Sequence, residues 1–179
     1  MKIRKILVVY HPENYGTLAV VEKSLKKNKI SCSLINRNKL NKKAIENKDL
    51  IITIGGDGTF LTTTHFVDKT PVFSVCSNLK LNEGFFARAC KPDFNQKLSL
   101  LLKGKFKISK LLRLEAKINE EKLPFLATNE LFAGSKRPYD TARYKLKIRG
   151  KQEFQQSSGV IITTPAGSTA WAKSACGYK

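Results

Sequence analysis

Three short runs contain almost nothing but apolar and β-branched side chains: "KILVVY" at 5–10, "LIITI" at 50–54 and "PVFSVC" at 71–76. A strand with one wet face alternates polar and apolar residues. A strand apolar throughout must be covered on both faces, as in a parallel sheet between helices. Between these runs the periodicity changes. In "GTLAVVEKSLKKN" at 16–28, Leu18, Val21 and Leu25 share one side of an amphipathic helix. "SCSLIN" at 31–36 predicts a further strand, and "NKKAIENKDL" at 41–50 a short helix or turn. "TFLTTTHFV" at 59–67 predicts a helix, although its threonines are poor helix formers, and "DFNQKLSLLLKG" at 93–104 another, ending at Gly104. The order β-α-β-α-β-α-β predicts an α/β fold: a Rossmann-like open parallel sheet with helices on both faces.

The texture then shifts. "KLLRLEAKINEEKLPFLATNELFAGS" at 110–135 and "RYKLKIRGKQEFQQSSGVIITTPAG" at 143–167 alternate polar and apolar residues around short turns. Both predict antiparallel hairpins. The expected organisation is an α/β domain over residues 1–108 and a β-rich domain over 109–179.

Of the 179 residues, 33 are Lys or Arg and 14 are Asp or Glu, a formal net charge of +19. Such an excess attracts phosphate, and nucleic acid is one candidate partner. The basic residues are dispersed, however, through "KSLKKNK", "NRNKLNKK", "KGKFKISK" and "RYKLKIRGK", and no nucleic-acid motif accompanies them. They read as solvated faces that draw in anionic ligands. The four cysteines, Cys32, Cys76, Cys90 and Cys176, have no metal-ligand spacing and suit free thiols in a reducing compartment. The apolar run after the basic start, Ile6 to Tyr10, is too short for a secretory segment, and no stretch is long enough to span a membrane. A cytoplasmic protein is expected.

The second of the apolar runs ends in "GGDGT", residues 55–59. In open α/β sheets ligands bind at the C-terminal ends of strands. Glycines there let a ligand approach the backbone, and N–H groups near a helix N-terminus attract phosphate. A carboxylate repels phosphate, so Asp57 makes sense if it accepts a proton from an attacking hydroxyl or faces a magnesium ion. A plain Asp-Gly turn is the simpler alternative. The stretch is neither a Walker loop nor a GxGxxG fingerprint.

Two further stretches carry polar groups into apolar surroundings. "LATNELF" sets Asn129 and Glu130 at a strand, where an amide and a carboxylate suit ribose hydroxyls. Adjacent strand residues face opposite ways, so the two can share a ligand only at a strand end or bulge. A solvated strand terminus is the alternative. "GVIITTPAGSTAWAKSACG" at 159–177 breaks at Pro165-Ala166-Gly167 and continues with small and hydroxyl residues around Trp171. These could line a nucleotide pocket with Trp171 over a planar base, or form a strand–turn–helix with a core Trp.

Taken together, "GGDGTFL" (55–61), "TNELF" (128–132) and "TTPAGSTAWAKSA" (163–175) make the chain resemble the NAD kinases. That family moves a phosphoryl group from ATP or polyphosphate to the 2′-hydroxyl of the adenosine ribose of NAD. The resemblance implies that Asp57 is the catalytic base. It implies that Gly55, Gly56, Gly58 and Thr59 form the phosphate-side turn. Asn129 and Glu130 would hold the ribose. Asp57, Gly58, Ser158, Thr169, Ala170, Trp171 and Ser174 would contribute to the dinucleotide site, with no metal ligand assigned. It further implies Mg²⁺ or another divalent cation with the donor, and a homo-oligomer.

Two stretches depart from the commoner family pattern. "QSSG" at 156–159 stands where many members have Arg-Ser-Asp-Gly, and "SVCSNLKLNEGFFA" at 74–87 lacks the usual Gly and Asn. Both resemble the divergent, mitochondrial-type branch. Family chains also continue past the Gly-Ser-Thr-Ala motif, so an apparently truncated second domain is expected, with edges for another chain to cover. The rivals are a lipid or sugar kinase sharing the glycine turn, an inactive or fragmentary NAD(H)-binding module, and a nucleic-acid binder.

Overall fold

The computed structural model describes residues 3–77, 84–137 and 139–177. The chain falls into two compact units, Met1–Lys110 and Leu111–Lys179.

In the first unit the strands are β1 (Lys5–Tyr10), β2 (Ser31–Asn36), β3 (Leu50–Ile54), β4 (Val72–Cys76) and β5 (Ala87–Cys90). They form one sheet in the order β2-β1-β3-β4-β5, every neighbouring pair parallel. The helices are α1 (Tyr15–Lys27), α2 (Lys42–Ile45), α3 (Asp57–Thr64) and α4 (Phe94–Leu102). The period-two geometry of a strand splits the apolar run of β1 between two cores. Ile6 and Val8, with Leu50, Ile52 and Ile54 of β3, pack under Leu18, Val21 and Leu25 of α1 and Phe94, Leu98 and Leu101 of α4. Leu7, Val9 and Ile51 pack on the other side against Leu40, Ile45 and Val67. The apolar runs are thus covered on both faces, as their composition requires.

The fifth strand departs from the expected order. "ARAC" is short, carries Arg88 and shows no apolar alternation. Its strand state comes from pairing with β4, with Val75 opposite Ala89 and Cys76 opposite Cys90 after a register shift. Residues 78–83 of the stretch singled out at 74–87 lie outside the described residues.

The second unit is antiparallel. A minimal hairpin joins β6 (Lys117–Ile118) to β7 (Glu121–Lys122). A longer one joins β9 (Ala142–Ile148) to β10 (Lys151–Ser157) through Arg149 and Gly150, both with positive φ. That is the turn geometry favoured by two-residue hairpins. The two expected hairpins are otherwise reorganised. β8 (Glu130–Gly134) pairs with β11 (Gly159–Thr163), so a non-local ladder takes segments that local alternation assigned to their neighbours. A single turn of 3-10 helix, Gly167–Thr169, then leads into α5 (Trp171–Cys176). No helix among the described residues is long and apolar enough to cross a membrane.

Candidate active site

β3 delivers the glycine turn to the C-terminal end of the sheet. Gly55 has φ +154°, and a Cβ there would collide with the Thr59 hydroxyl and lie 3.1 Å from Thr59 Cβ. The turn can therefore close tightly only on glycine. Gly56 is the N-cap of α3, and no side chain caps the helix. The Thr59 N–H donates to the Gly56 carbonyl at 3.0 Å, which leaves the Asp57 and Gly58 N–H groups at the start of α3 for an anion, the arrangement that binds phosphate at helix N-termini.

Asp57 opens α3. Its two carboxylate oxygens accept hydrogen bonds from the backbone N–H groups of Phe85 and Phe86, each at 3.0 Å. Phe86 in turn stacks on Phe60 of α3, ring centroids 4.3 Å apart. The carboxylate is fixed in place by the segment that leads into β5. An ionised carboxylate offers about four acceptor positions, and two are used, so it can still accept a hydroxyl proton. Gly58 is exposed and Thr59 buried.

Two residues that sequence reasoning missed border this turn. Arg37, just beyond β2, brings Nη1 to 3.5 Å from the Thr59 hydroxyl. Asn14 places Nδ2 3.6 Å from the position a Cβ on Gly55 would take. Neither belongs to a motif, and only the folding together of three strand ends reveals them.

In the second unit the two remaining motifs are stitched together. Thr164 donates its N–H to the Asn129 carbonyl at 2.8 Å and its hydroxyl to the Thr128 carbonyl at 2.6 Å. The Gly167 N–H donates to the Thr164 hydroxyl at 3.0 Å. Gly167 is buried against Asn129, where a Cβ would stand 2.6 Å from the Asn129 Cα. Asn129 immediately precedes β8 and Glu130 begins it, so the pair does sit at a strand end.

Asn129 Oδ1 and Glu130 Oε2 are both buried and, among the described residues, accept no hydrogen bond. Burial pushes the Glu130 carboxyl above its ordinary value. Trp171 is half-exposed at the start of α5, its ring 5.1 Å from that of Phe132 on β8. Thr169 ends the 3-10 turn, Ala170 links it to α5, and Ser174 donates its N–H to the Ala170 carbonyl. Ser158 stands apart. It precedes Gly159, which pairs with Gly134 at the end of the ladder opposite Glu130 and Thr163.

Among the described residues no three His, Cys, Asp or Glu side chains converge. The lone Asp57 carboxylate, bound on both oxygens, does not make a resident metal site. A divalent cation that arrives on the phosphates of a donor needs no dedicated protein cage.

The profile of the ATP-NAD kinase N-terminal domain matches residues 4–106, more than half of the chain. The chain belongs to the NAD kinase family. A probable NADH kinase of Oryza sativa subsp. japonica is 30% identical over 184 residues, which take in 90% of this chain and 56% of the rice protein. The NAD kinase of Aquifex aeolicus is 32% identical, over 98% of this chain and 66% of its own. The NAD kinase of Methanopyrus kandleri is 35% identical over 130 residues, 72% of this chain and 46% of its own. The chain spans about half the length of the first of these curated relatives.

Proposed function

We propose that this chain carries out phosphoryl transfer from ATP or polyphosphate to the 2′-hydroxyl of the adenosine ribose of NAD, giving NADP. The observation that carries this is the pair of buried acceptors without donors, Asn129 Oδ1 and Glu130 Oε2. A buried polar group left unpaired costs about 1–3 kcal/mol. Ribose hydroxyls would donate to these acceptors and relieve that cost. Family membership, rather than these acceptors, favours the ribose of NAD over the hydroxyls of a sugar or lipid.

Asp57 then takes the proton from the 2′-hydroxyl as the oxygen attacks phosphorus. The uncapped start of α3, with Gly56 and Gly58, receives the phosphates. Thr169, Ala170, Trp171 and Ser174 contribute to the dinucleotide site, Trp171 by stacking on a base. Ser158 belongs to the remote, nicotinamide side. Because the acceptor hydroxyl is on the adenosine ribose, NADH would serve as well as NAD, in line with the name of the rice relative. Any divalent cation enters with the donor. A homo-oligomer in the cytoplasm completes the proposal.

The test is to incubate the purified chain with ATP and Mg²⁺ and, in turn, NAD, diacylglycerol and fructose 6-phosphate. Phosphorylation of NAD alone is expected. Phosphorylation of the lipid or the sugar instead would overturn the assignment.

A further inference from the structure

Resting on that phosphoryl-transfer assignment, we propose that Arg37 binds the phosphates of the donor. Arg37 follows β2 directly. Its position is set by a local device: Asn36 Oδ1 accepts the Asn38 N–H at 2.9 Å, closing a 3-10 turn over Arg37–Lys39. The next residue, Leu40, is buried in the core on that side of the sheet. The guanidinium is thereby directed at the glycine turn. Nη1 lies 3.5 Å from the Thr59 hydroxyl and 3.7 Å from the place a Cβ on Gly58 would occupy. Since Gly58 has no side chain, nothing of it screens the cation.

A guanidinium with no acid beside it is available to an anionic ligand. Arg37 is half-buried. Among the described residues the ion pairs are His11–Glu13, Lys117–Glu120 and Lys122–Glu115, and none includes it. Among the described residues its guanidinium makes one hydrogen bond, to the Thr59 hydroxyl, at the long limit for such a bond. Most of the five guanidinium N–H donors therefore have no partner among the described residues. A planar fork of donors matches the oxygens of a phosphate group two at a time. Beside it, the Asp57 and Gly58 N–H groups at the start of α3 have no capping side chain among the described residues. The two features converge on one anion. The same turn holds Asp57, so phosphates gripped by Arg37 are held next to the proposed base. Most of the chain's other basic residues are exposed on flexible stems and provide diffuse attraction. Arg37 provides a fixed one.

The test is calorimetric titration of the whole chain with inorganic tripolyphosphate, and separately with ATP and with NAD, at constant ionic strength. The variants are Arg37→Gln, Arg37→Lys and, as control, Lys39→Gln, which removes an exposed charge two residues away. Loss of a charge-assisted pair predicts that Arg37→Gln binds tripolyphosphate and ATP about ten- to a hundredfold more weakly. Arg37→Lys should fall between it and the parent, because a point charge replaces a fork. Lys39→Gln should bind as the parent does, and NAD affinity should be unchanged in all three. Tripolyphosphate binding that is absent in the parent, unaffected by Arg37→Gln, or weakened as much by Lys39→Gln would overturn the inference. NADP formation separates the two proposals. If Arg37→Gln makes NADP with the parent's KM for ATP, the role of Arg37 fails and the kinase stands. If the parent makes no NADP while tripolyphosphate binding still depends on Arg37, the kinase fails and the phosphate site stands.

Discussion

Asp57 uses one position on each carboxylate oxygen to hold the Phe85 and Phe86 N–H groups. An asparagine there keeps only one acceptor oxygen and turns its NH₂ toward the second N–H. Asp57→Asn should therefore destabilise the first unit by about 1–3 kcal/mol, read as a lower urea midpoint, besides removing the proposed base. Glu130 tests the opposite compromise. Its folded-state pKa is raised by burial, so the carboxyl favours folding most in its neutral form, below its ordinary pKa of about 4.3. That contribution disappears as pH rises through the raised value. Glu130→Gln is then expected to have a higher unfolding midpoint than the parent at pH 7 and the same midpoint near pH 3, while NAD affinity falls. Equal midpoints at both pH values would show that burial of this carboxylate costs nothing. The motifs made both residues visible in the sequence. That Asp57 is anchored by a backbone segment 28 residues away was not visible, because backbone N–H groups leave no trace in composition.

The first unit's elements were largely legible because each has its own periodicity. β1, β3 and β4 fall on the stretches whose apolar composition marked them, and α1 on the spacing of Leu18, Val21 and Leu25. β5 was not legible, since four residues including Arg88 become a strand only by lying beside β4. The same limit applies to β8 and β11, which pair across the β9–β10 hairpin, a choice that alternation cannot express. At this scale the junction of the two motifs in the second unit is the sharpest test. Gly167→Ala would push a methyl into the Asn129 backbone. We expect a loss of about 1–3 kcal/mol in stability and a weakening of NAD binding, measured by denaturation and titration. Full NAD affinity in that variant would show that the contact between the motifs does not shape the site.

Over the whole molecule, charge and core play separate parts. The +19 net charge favours encounter with phosphate-bearing ligands without specifying them. The core fixes where the specific groups stand. Phe94 is fully buried between α4 and the sheet, its ring 6.2 Å from that of Phe73. Phe94→Ala should cost about 3–5 kcal/mol, seen as a drop in the denaturant midpoint. In the proposed reaction, phosphate capture and ribose recognition would serve one step, proton removal by Asp57 during transfer to the ribose. The decisive measurement is the rate of NADP formation by purified parent and Asp57→Asn chains, with NAD, ATP and Mg²⁺, at a temperature where both are folded. The parent should form NADP, and the variant should bind NAD normally yet turn over at least about a hundredfold more slowly. NADP formed equally fast by both, or by neither, would contradict the account.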